Sequence, residues 1–119
     1  MKTQRKRLKP DECSSRLAAV ADALYAVGGK WKLRIIISLT EGNKRFNELQ
    51  RSINGISARV LSHELKELEL NGFITRTVYN DTPVVIEYAL TEYSHSLDDV
   101  LDALSDWGIR HRAKIKSGK

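Results

Sequence analysis

Four polar residues between positions 59 and 66 have side chains that can bind nucleic acid, and their spacing groups them. They are Arg59, Ser62, His63 and Lys66. Because they recur at steps of three, four and seven residues, they share one face of an α-helix. Arginine and lysine bond guanine edges or phosphates, serine bonds either, and a helix fits the major groove of B-form DNA. The pattern predicts a DNA-binding helix, with a merely solvated surface helix as the competing interpretation.

The helix that carries this face has a buried stripe and a signal at each end. Its apolar side is formed by Leu61, Leu65 and Leu68. The hydroxyl of Ser57 can accept hydrogen bonds from the free amides of the first turn, and we also count Ser57 among the DNA-binding residues. Gly72 can adopt the left-handed conformation that ends a helix just past Asn71. We therefore predict a helix of about fourteen residues.

The neighbouring segments complete a helix-turn-helix followed by a hairpin. The support helix before the turn carries its apolar face at Phe46, Leu49 and Ile53. A turn at Asn54-Gly55 separates the two helices. Residues 74–79 and 84–90 are rich in β-branched and aromatic residues, and a turn-forming segment, 80–83, joins them into a two-stranded hairpin. The residues of this wing predicted to contact DNA are Arg76, Thr77, Tyr79 and Asn80.

Apolar patterns at both ends of the chain predict two more helices. The first ends at Gly28-Gly29. The last begins near Glu92, with Thr91 as its cap, and runs to near Arg112. Between the first helix and the helix-turn-helix, residues 31–39 have the spacing and length of a buried helix. The fold class is thus mainly α with a small β-hairpin (α+β), a winged helix-turn-helix with extra N- and C-terminal helices.

We expect the two outer helices to form a homodimer, because so small a domain has little else to bury them against. The predicted interface residues are Leu17, Leu24, Leu97, Val100, Leu101, Leu104 and Trp107. Two-fold pairing would set two recognition helices about 34 Å apart, one turn of DNA, or a multiple of it.

Charge is unevenly distributed along the chain. Residues 30–66 hold eight basic and three acidic residues, whereas residues 67–109 hold one basic and nine acidic residues. Since cations that displace counterions supply most non-specific DNA affinity, we expect the first region to face DNA and the second to face away. Further predicted DNA contacts in the basic region are Lys30, Lys32 and Arg45. Lys30, Lys32 and Arg34 either clamp a phosphate or extend from a core helix to water.

With 119 residues, the chain has room for one domain. We predict a basic, flexible arm over residues 1–12, the domain over 13–112 and a basic tail over 113–119. The chain has no run of about 20 apolar residues and no signal peptide, so we expect a cytoplasmic protein. Its three histidines and single cysteine lack metal-ligand or catalytic spacing, so we predict no enzyme activity and no metal site.

Short motifs spread over residues 13–108 resemble the HxlR-type bacterial transcriptional regulators. They are Cys13, AVGGKWK (26–32), KRFNEL (44–49), ISARVL (56–61), LKELE (65–69), GFI (72–74) and EYALT (87–91), which leads into Leu97. The resemblance implies a dimeric winged-helix protein that represses or activates nearby genes without a bound cofactor, with the first and last helices forming the dimer. Ser94 departs from the family pattern, which has glycine there, and we expect no consequence because Ser94 falls in a helical turn.

Cys13 is the one candidate for signal sensing, because several members of the family that the chain resembles detect oxidants or electrophiles with a cysteine in that position. A start of the first helix at Ser14-Ser15 and the basic arm would favour the reactive thiolate, whereas Asp11 and Glu12 oppose it. The alternative is an inert packing residue near the dimer interface. Two other hypotheses for the whole protein are a small-ligand-responsive regulator with a dimer-interface pocket near Tyr25, Trp31 and Trp107, and a protein-interaction module that no longer binds specific DNA.

Overall fold

The computed structural model describes residues 5–118, so the first four residues of the predicted arm and the last residue of the predicted tail lie outside it. Within this part of the chain, five α-helices, three strands and one 3-10 helix follow one another. They are α1 (Pro10–Val27), α2 (Lys32–Leu39), β1 (Lys44–Arg45), α3 (Phe46–Ser52), α4 (Ala58–Leu70), β2 (Ile74–Tyr79), β3 (Val85–Leu90), the 3-10 helix (Glu92–Leu97) and α5 (Asp98–Lys116). The fold class predicted from the sequence is confirmed.

Helix α4 begins and ends where its sequence signals predict. The Ser57 hydroxyl accepts a hydrogen bond from the Val60 amide over 3.1 Å, which satisfies a donor of the first turn. Gly72 adopts a φ of +83°. The Phe73 amide then donates to the Leu68 carbonyl and the Gly72 amide to the Glu69 carbonyl, each over 3.0 Å. These two bonds satisfy carbonyls at the helix end, and they fix where the hairpin leaves α4.

The hairpin forms as predicted, but the sheet has a third strand. Strands β2 and β3 pair antiparallel from Ile74 opposite Leu90 to Tyr79 opposite Val85. Strand β1 adds to the free edge of β3, with Lys44 opposite Tyr88 and Arg45 opposite Glu87. The predicted hairpin is therefore confirmed, and the pairing of β1 with it was not predicted. Two residues carry no readable alternation, so only their pairing with β3 identifies them as a strand.

The core lies where α2, α3 and α4 pack against the sheet and the start of the C-terminal segment. The expected helix over residues 31–39 is confirmed as α2, whose Ile35 and Ile36 are buried in the centre of the protein, while Ile37 is exposed. The most deeply buried side chains are Ile35, Ile36, Leu49, Leu61, Leu65, Leu68 and Ile74. The predicted stripe of α4 is thus confirmed. It holds the helix to the body and leaves its opposite face in solvent.

The two outer helical segments extend beyond the ends that the sequence analysis predicted. Helix α1 begins at Pro10, not at Ser14-Ser15, so residues 10–12 of the predicted arm are helical. Proline suits the first position of a helix, and a Glu12 carboxylate oxygen accepts the Lys9 amide over 3.0 Å. Helix α5 continues to Lys116, so residues 113–116 of the predicted tail are helical as well.

The segment between the sheet and α5 starts as predicted but as a 3-10 helix. The Thr91 hydroxyl accepts the Ser94 amide over 3.3 Å, so Thr91 is confirmed as a cap. Ser94 is buried, and its hydroxyl donates to the Thr91 carbonyl over 2.5 Å. Serine therefore fits at a position where the family pattern has glycine. Among the described residues, no helix is both long and apolar enough to cross a bilayer.

Candidate nucleic-acid interface

The polar face of α4 is exposed along its whole length. Its four predicted DNA-binding side chains, Arg59, Ser62, His63 and Lys66, are all in solvent. Ser57 precedes them, and its oxygen accepts the Val60 amide, while its hydroxyl proton can still be donated to another group. Their exposure is confirmed, and their contact with DNA stays a prediction. Because the opposite side of α4 is buried, this face is the part of the helix that another molecule can reach.

The predicted contacts of the wing are exposed but fall on two sides of the hairpin. Arg76 stands opposite Tyr88 in the strand register, and it lines a groove with Ser62 and Lys66 of α4. Side chains alternate along a strand, so Thr77 and Tyr79 point to the other side from Arg76. Asn80 lies in the exposed turn. The structure therefore joins Arg76 to the face of α4 and leaves the other three wing residues separate from that groove.

Lys32 does not belong to the exposed surface, which corrects the expectation that it contacts DNA. The residue is only 7% exposed. Its ammonium lies 2.7 Å from a Glu67 oxygen and 3.1 Å from a Glu64 oxygen. Burial lowers the pKa of Lys32, but the hydrogen bonds and charges of Glu67 and Glu64 outweigh it and raise that pKa above its usual value. The Lys32 ammonium therefore pairs with carboxylates inside the protein and is not available to bind a DNA phosphate.

Three other cations of the basic region, Lys30, Arg34 and Arg45, remain accessible. The Lys30 ammonium and the Arg34 guanidinium each lie 4.8 Å from the centre of the Trp31 ring, within the range of a cation–π contact. A Cβ added to Gly55 would lie 3.9 Å from that ring, so this cluster adjoins the turn before α4. Arg45 is also exposed. It stands opposite Glu87 in the sheet, which weakens its attraction for phosphate.

The network around Lys32 was missed by the sequence analysis. Glu67 was expected to face away from DNA with the acidic half of the chain. It instead pairs with Lys32 of the basic half, whose hydrogen bond and charge lower the pKa of Glu67. His63, Glu64 and Glu67 bring potential metal-ligand atoms within 4.8 Å of one another. The Lys32 ammonium already pairs with both of these carboxylates, so the geometry is that of an ion-pair network. A lysine inside the apolar segment 31–39 was the signal that could have indicated it.

The outer helices carry an exposed apolar surface. Leu17, Leu24, Val100, Leu104 and Trp107 are between 43% and 66% exposed. Leu97 is buried in the core and Leu101 packs against it, so these two predicted interface residues hold the C-terminal segment to its own protomer. They lie where the 3-10 helix joins α5, whereas Val100, Leu104 and Trp107 of α5 stay exposed.

Cys13 is exposed near the start of α1. Its amide donates to the Lys9 carbonyl over 2.9 Å, so the residue lies within the first turns of the helix. It is therefore not a packing residue of the protomer. It lies on the same outer helix as Leu17 and Leu24.

The protein has the elements of a winged helix-turn-helix: a support helix, a turn, a helix with an exposed polar face and a β-hairpin wing. This fold is typical of transcriptional regulators. Comparison with protein families agrees with this class. The family of HxlR-like helix-turn-helix proteins matches residues 26–116. The chain belongs to that family, whose members are transcriptional regulators.

Individual relatives are similar over most of their length. The uncharacterized HTH-type transcriptional regulator YtcD of Bacillus subtilis is 45% identical over 97 residues, 82% of this chain and 77% of the relative. The reduced form of the redox regulator HypR is 36% identical, with a TM-score of 0.77 over 83% of this chain and 98% of that one. The reduced form of YodB from B. subtilis is 35% identical, with a TM-score of 0.65 over 85% and 91%.

Proposed function

We propose that the protein is a sequence-specific regulator that binds double-stranded DNA as a homodimer. Helix α4 enters the major groove, and the wing of β2 and β3 lies beside it. The observation that carries this proposal is the division of α4 into two faces. One is buried through Leu61, Leu65 and Leu68, and the other presents Arg59, Ser62, His63 and Lys66 to solvent. A helix held in this way offers donors to base edges and phosphates.

The homodimer part of the proposal rests on the apolar surface of α1 and α5. Within the described residues, α1 has one buried side chain, Val27, and α5 has none. Large apolar side chains on two helices that project from the body mark an interaction surface. A second copy of the chain offers the same surface and can bury it in a two-fold interface.

Fluorescence-anisotropy titrations test DNA binding directly. The purified protein is titrated against labelled DNA from upstream of its own gene and against a scrambled duplex, at several salt concentrations. We expect tighter, competitor-resistant binding to the upstream DNA, and a salt dependence that reflects its phosphate contacts. Weak binding to both duplexes that salt abolishes would refute sequence-specific regulation and favour a protein-interaction module.

Point variants separate base contacts from phosphate contacts. We expect Arg59→Ala to lose about 1–3 kcal/mol of binding to the upstream DNA and much less to the scrambled duplex. Lys66→Ala should weaken binding to both duplexes and reduce the salt slope. Arg110→Ala, on the far part of α5, also removes one positive charge and should change the affinity for neither duplex. Equal losses on both duplexes for Arg59→Ala would contradict base recognition by Arg59.

A second candidate function is redox regulation through Cys13. The exposed thiol supports it, and two similar solved structures are of redox-related regulators by name or treatment, HypR and diamide-treated YodB. Two Cys13 thiols from two chains would form one disulfide, with diamide taking up two electrons and two protons. We expect diamide to release DNA from the wild type and not from Cys13→Ser. An identical response of both proteins would exclude Cys13 as the switch.

A further inference from the structure

A buried lysine joins α2 to the helix that carries the candidate DNA-binding face. The Lys32 ammonium donates to a Glu67 oxygen over 2.7 Å and to both Glu64 oxygens, over 3.1 and 3.4 Å. The two carboxylates lie three residues apart on α4, so a single cation on α2 contacts that helix at two points about one turn apart. A contact at two points resists both rotation of α4 about its axis and sliding along it.

Apolar packing alone constrains this orientation less tightly. Leucine side chains of the α4 stripe contact their neighbours without a required direction, whereas hydrogen bonds to an ammonium need a distance near 2.8 Å and a suitable angle. The side chains of Lys32 and Glu64 are only 9% and 11% exposed. Water therefore cannot replace a lost partner there, and the arrangement that pairs all three charges is strongly favoured.

The network also reaches the exposed face of α4. The second Glu67 oxygen lies 3.6 Å from the Nε2 atom of His63, and a Glu64 oxygen lies 4.0 Å from the same atom. A displacement of Glu67 would thus change the electrostatic surroundings of His63. It would also move a negative charge on the surface where DNA phosphate is expected.

We propose that Lys32 is a positioning residue of the recognition helix, one that fixes the orientation of α4 through Glu64 and Glu67. In this role it determines which base edges Arg59 and His63 reach, without contacting DNA itself. The effect on DNA rests on the proposed function, but the effect on α4 does not. The two parts can therefore be measured separately.

The first measurement is the orientation of α4 in the free protein. Lys32→Met/Glu64→Met exchanges the buried ion pair for apolar side chains of similar length and leaves the net charge unchanged, so we expect it to fold. N–H residual dipolar couplings then report the direction of α4 relative to α3 and the sheet. We expect a reorientation of about 10° or more, the tolerance within which a binding constellation must be held. Couplings that fit the wild-type orientation would overturn the proposal.

Two further variants keep the measurement decisive. Glu67→Gln retains the buried pair of Lys32 and Glu64, so the orientation of α4 can be measured in this variant even if the double variant does not fold. We expect a smaller reorientation of α4, and an unchanged helix would count against the proposal. Lys44→Met/Glu41→Met removes an ion pair of 2.6 Å whose glutamate is 74% exposed. This control should leave α4 where it is.

The second measurement is discrimination between upstream and scrambled DNA. In the folded Lys32→Met/Glu64→Met variant we expect the ratio of the two affinities to fall on the order of tenfold, about the contribution of one good base contact. The Lys44→Met/Glu41→Met control should keep the wild-type ratio. An unchanged ratio with a reoriented α4 would refute the role in DNA recognition. If the wild type itself makes no distinction between the duplexes, the proposed function fails while the dipolar couplings still decide the role of Lys32 in positioning α4.

Discussion

Lys32→Met is expected to destabilise the protein strongly, although it replaces a charged residue in the core by an apolar one. The substitution leaves the Glu64 carboxylate, whose side chain is 11% exposed, without its cation. Removing one partner of a buried ion pair costs about 3–5 kcal/mol, because the remaining charge stays desolvated. Glu67 is 42% exposed and regains water, so we expect the lower end of that range, about 3 kcal/mol.

Urea unfolding followed by tryptophan fluorescence measures this loss, and Trp31 beside Lys32 provides a local signal. All proteins are compared at one concentration, because dimerisation makes stability depend on concentration. For a chain of this length, about 3 kcal/mol corresponds to a drop in Tm of roughly 12 °C. Lys44→Met leaves behind only Glu41, which is 74% exposed and regains water, so the free energy of unfolding should change little.

The double variant Lys32→Met/Glu64→Met distinguishes an uncompensated charge from a lost packing contact. If the unpaired carboxylate causes the loss, neutralising it should recover most of the stability. If the missing lysine stem causes it, the double variant should be no more stable than the single one. A loss in Lys32→Met no larger than that in Lys44→Met would refute the account of a buried network.

Further expectations concern pH, the interface and the end of α4. The lowered pKa of Glu67 contributes stability that is present above its ordinary value of 4.5 and is lost as the pH falls below it through the folded value. The raised pKa of Lys32 contributes stability at neutral pH that is lost only as the pH rises above 10.5. Urea midpoints measured against pH should therefore fall less steeply in acid for Lys32→Met than for the wild type. Leu24→Asp and Leu104→Asp should each convert dimers to monomers in sedimentation velocity, whereas Val84→Asp, exposed in the loop before β3, should not; dimers that persist in both would contradict the proposed interface. Gly72→Ala should cost about 1–2 kcal/mol of unfolding free energy, since its φ of +83° disfavours a side chain, and a variant as stable as the wild type would show that the turn adjusts.

Signals that are local in sequence predicted the elements of the candidate site. The boundaries of α4 follow from Ser57 and Gly72, and each acts through hydrogen bonds to residues at most a few positions away. The exposed and buried faces of α4 follow from a periodicity that any helix converts into sides. The wing was predicted for the same reason, since its strands are adjacent in sequence and joined by a short turn. The resemblance to the HxlR-type family is confirmed by the family match.

What required the tertiary structure was the pairing of residues far apart in sequence. Lys32 and Glu67 are 35 positions apart, and no local pattern says that a basic residue in a helix will meet an acidic residue on another. The same holds for β1, whose two residues form a strand only because they pair with β3. Leu97 belongs to the core rather than to the interface because the 3-10 helix docks it there. The sequence by itself determined the presence of the helices, the caps of α4 and the polar and apolar faces, because these depend on bonds and spacing between near neighbours. Only the tertiary structure decided which charges remain on the surface, because burial and ion pairing depend on how those helices pack against one another.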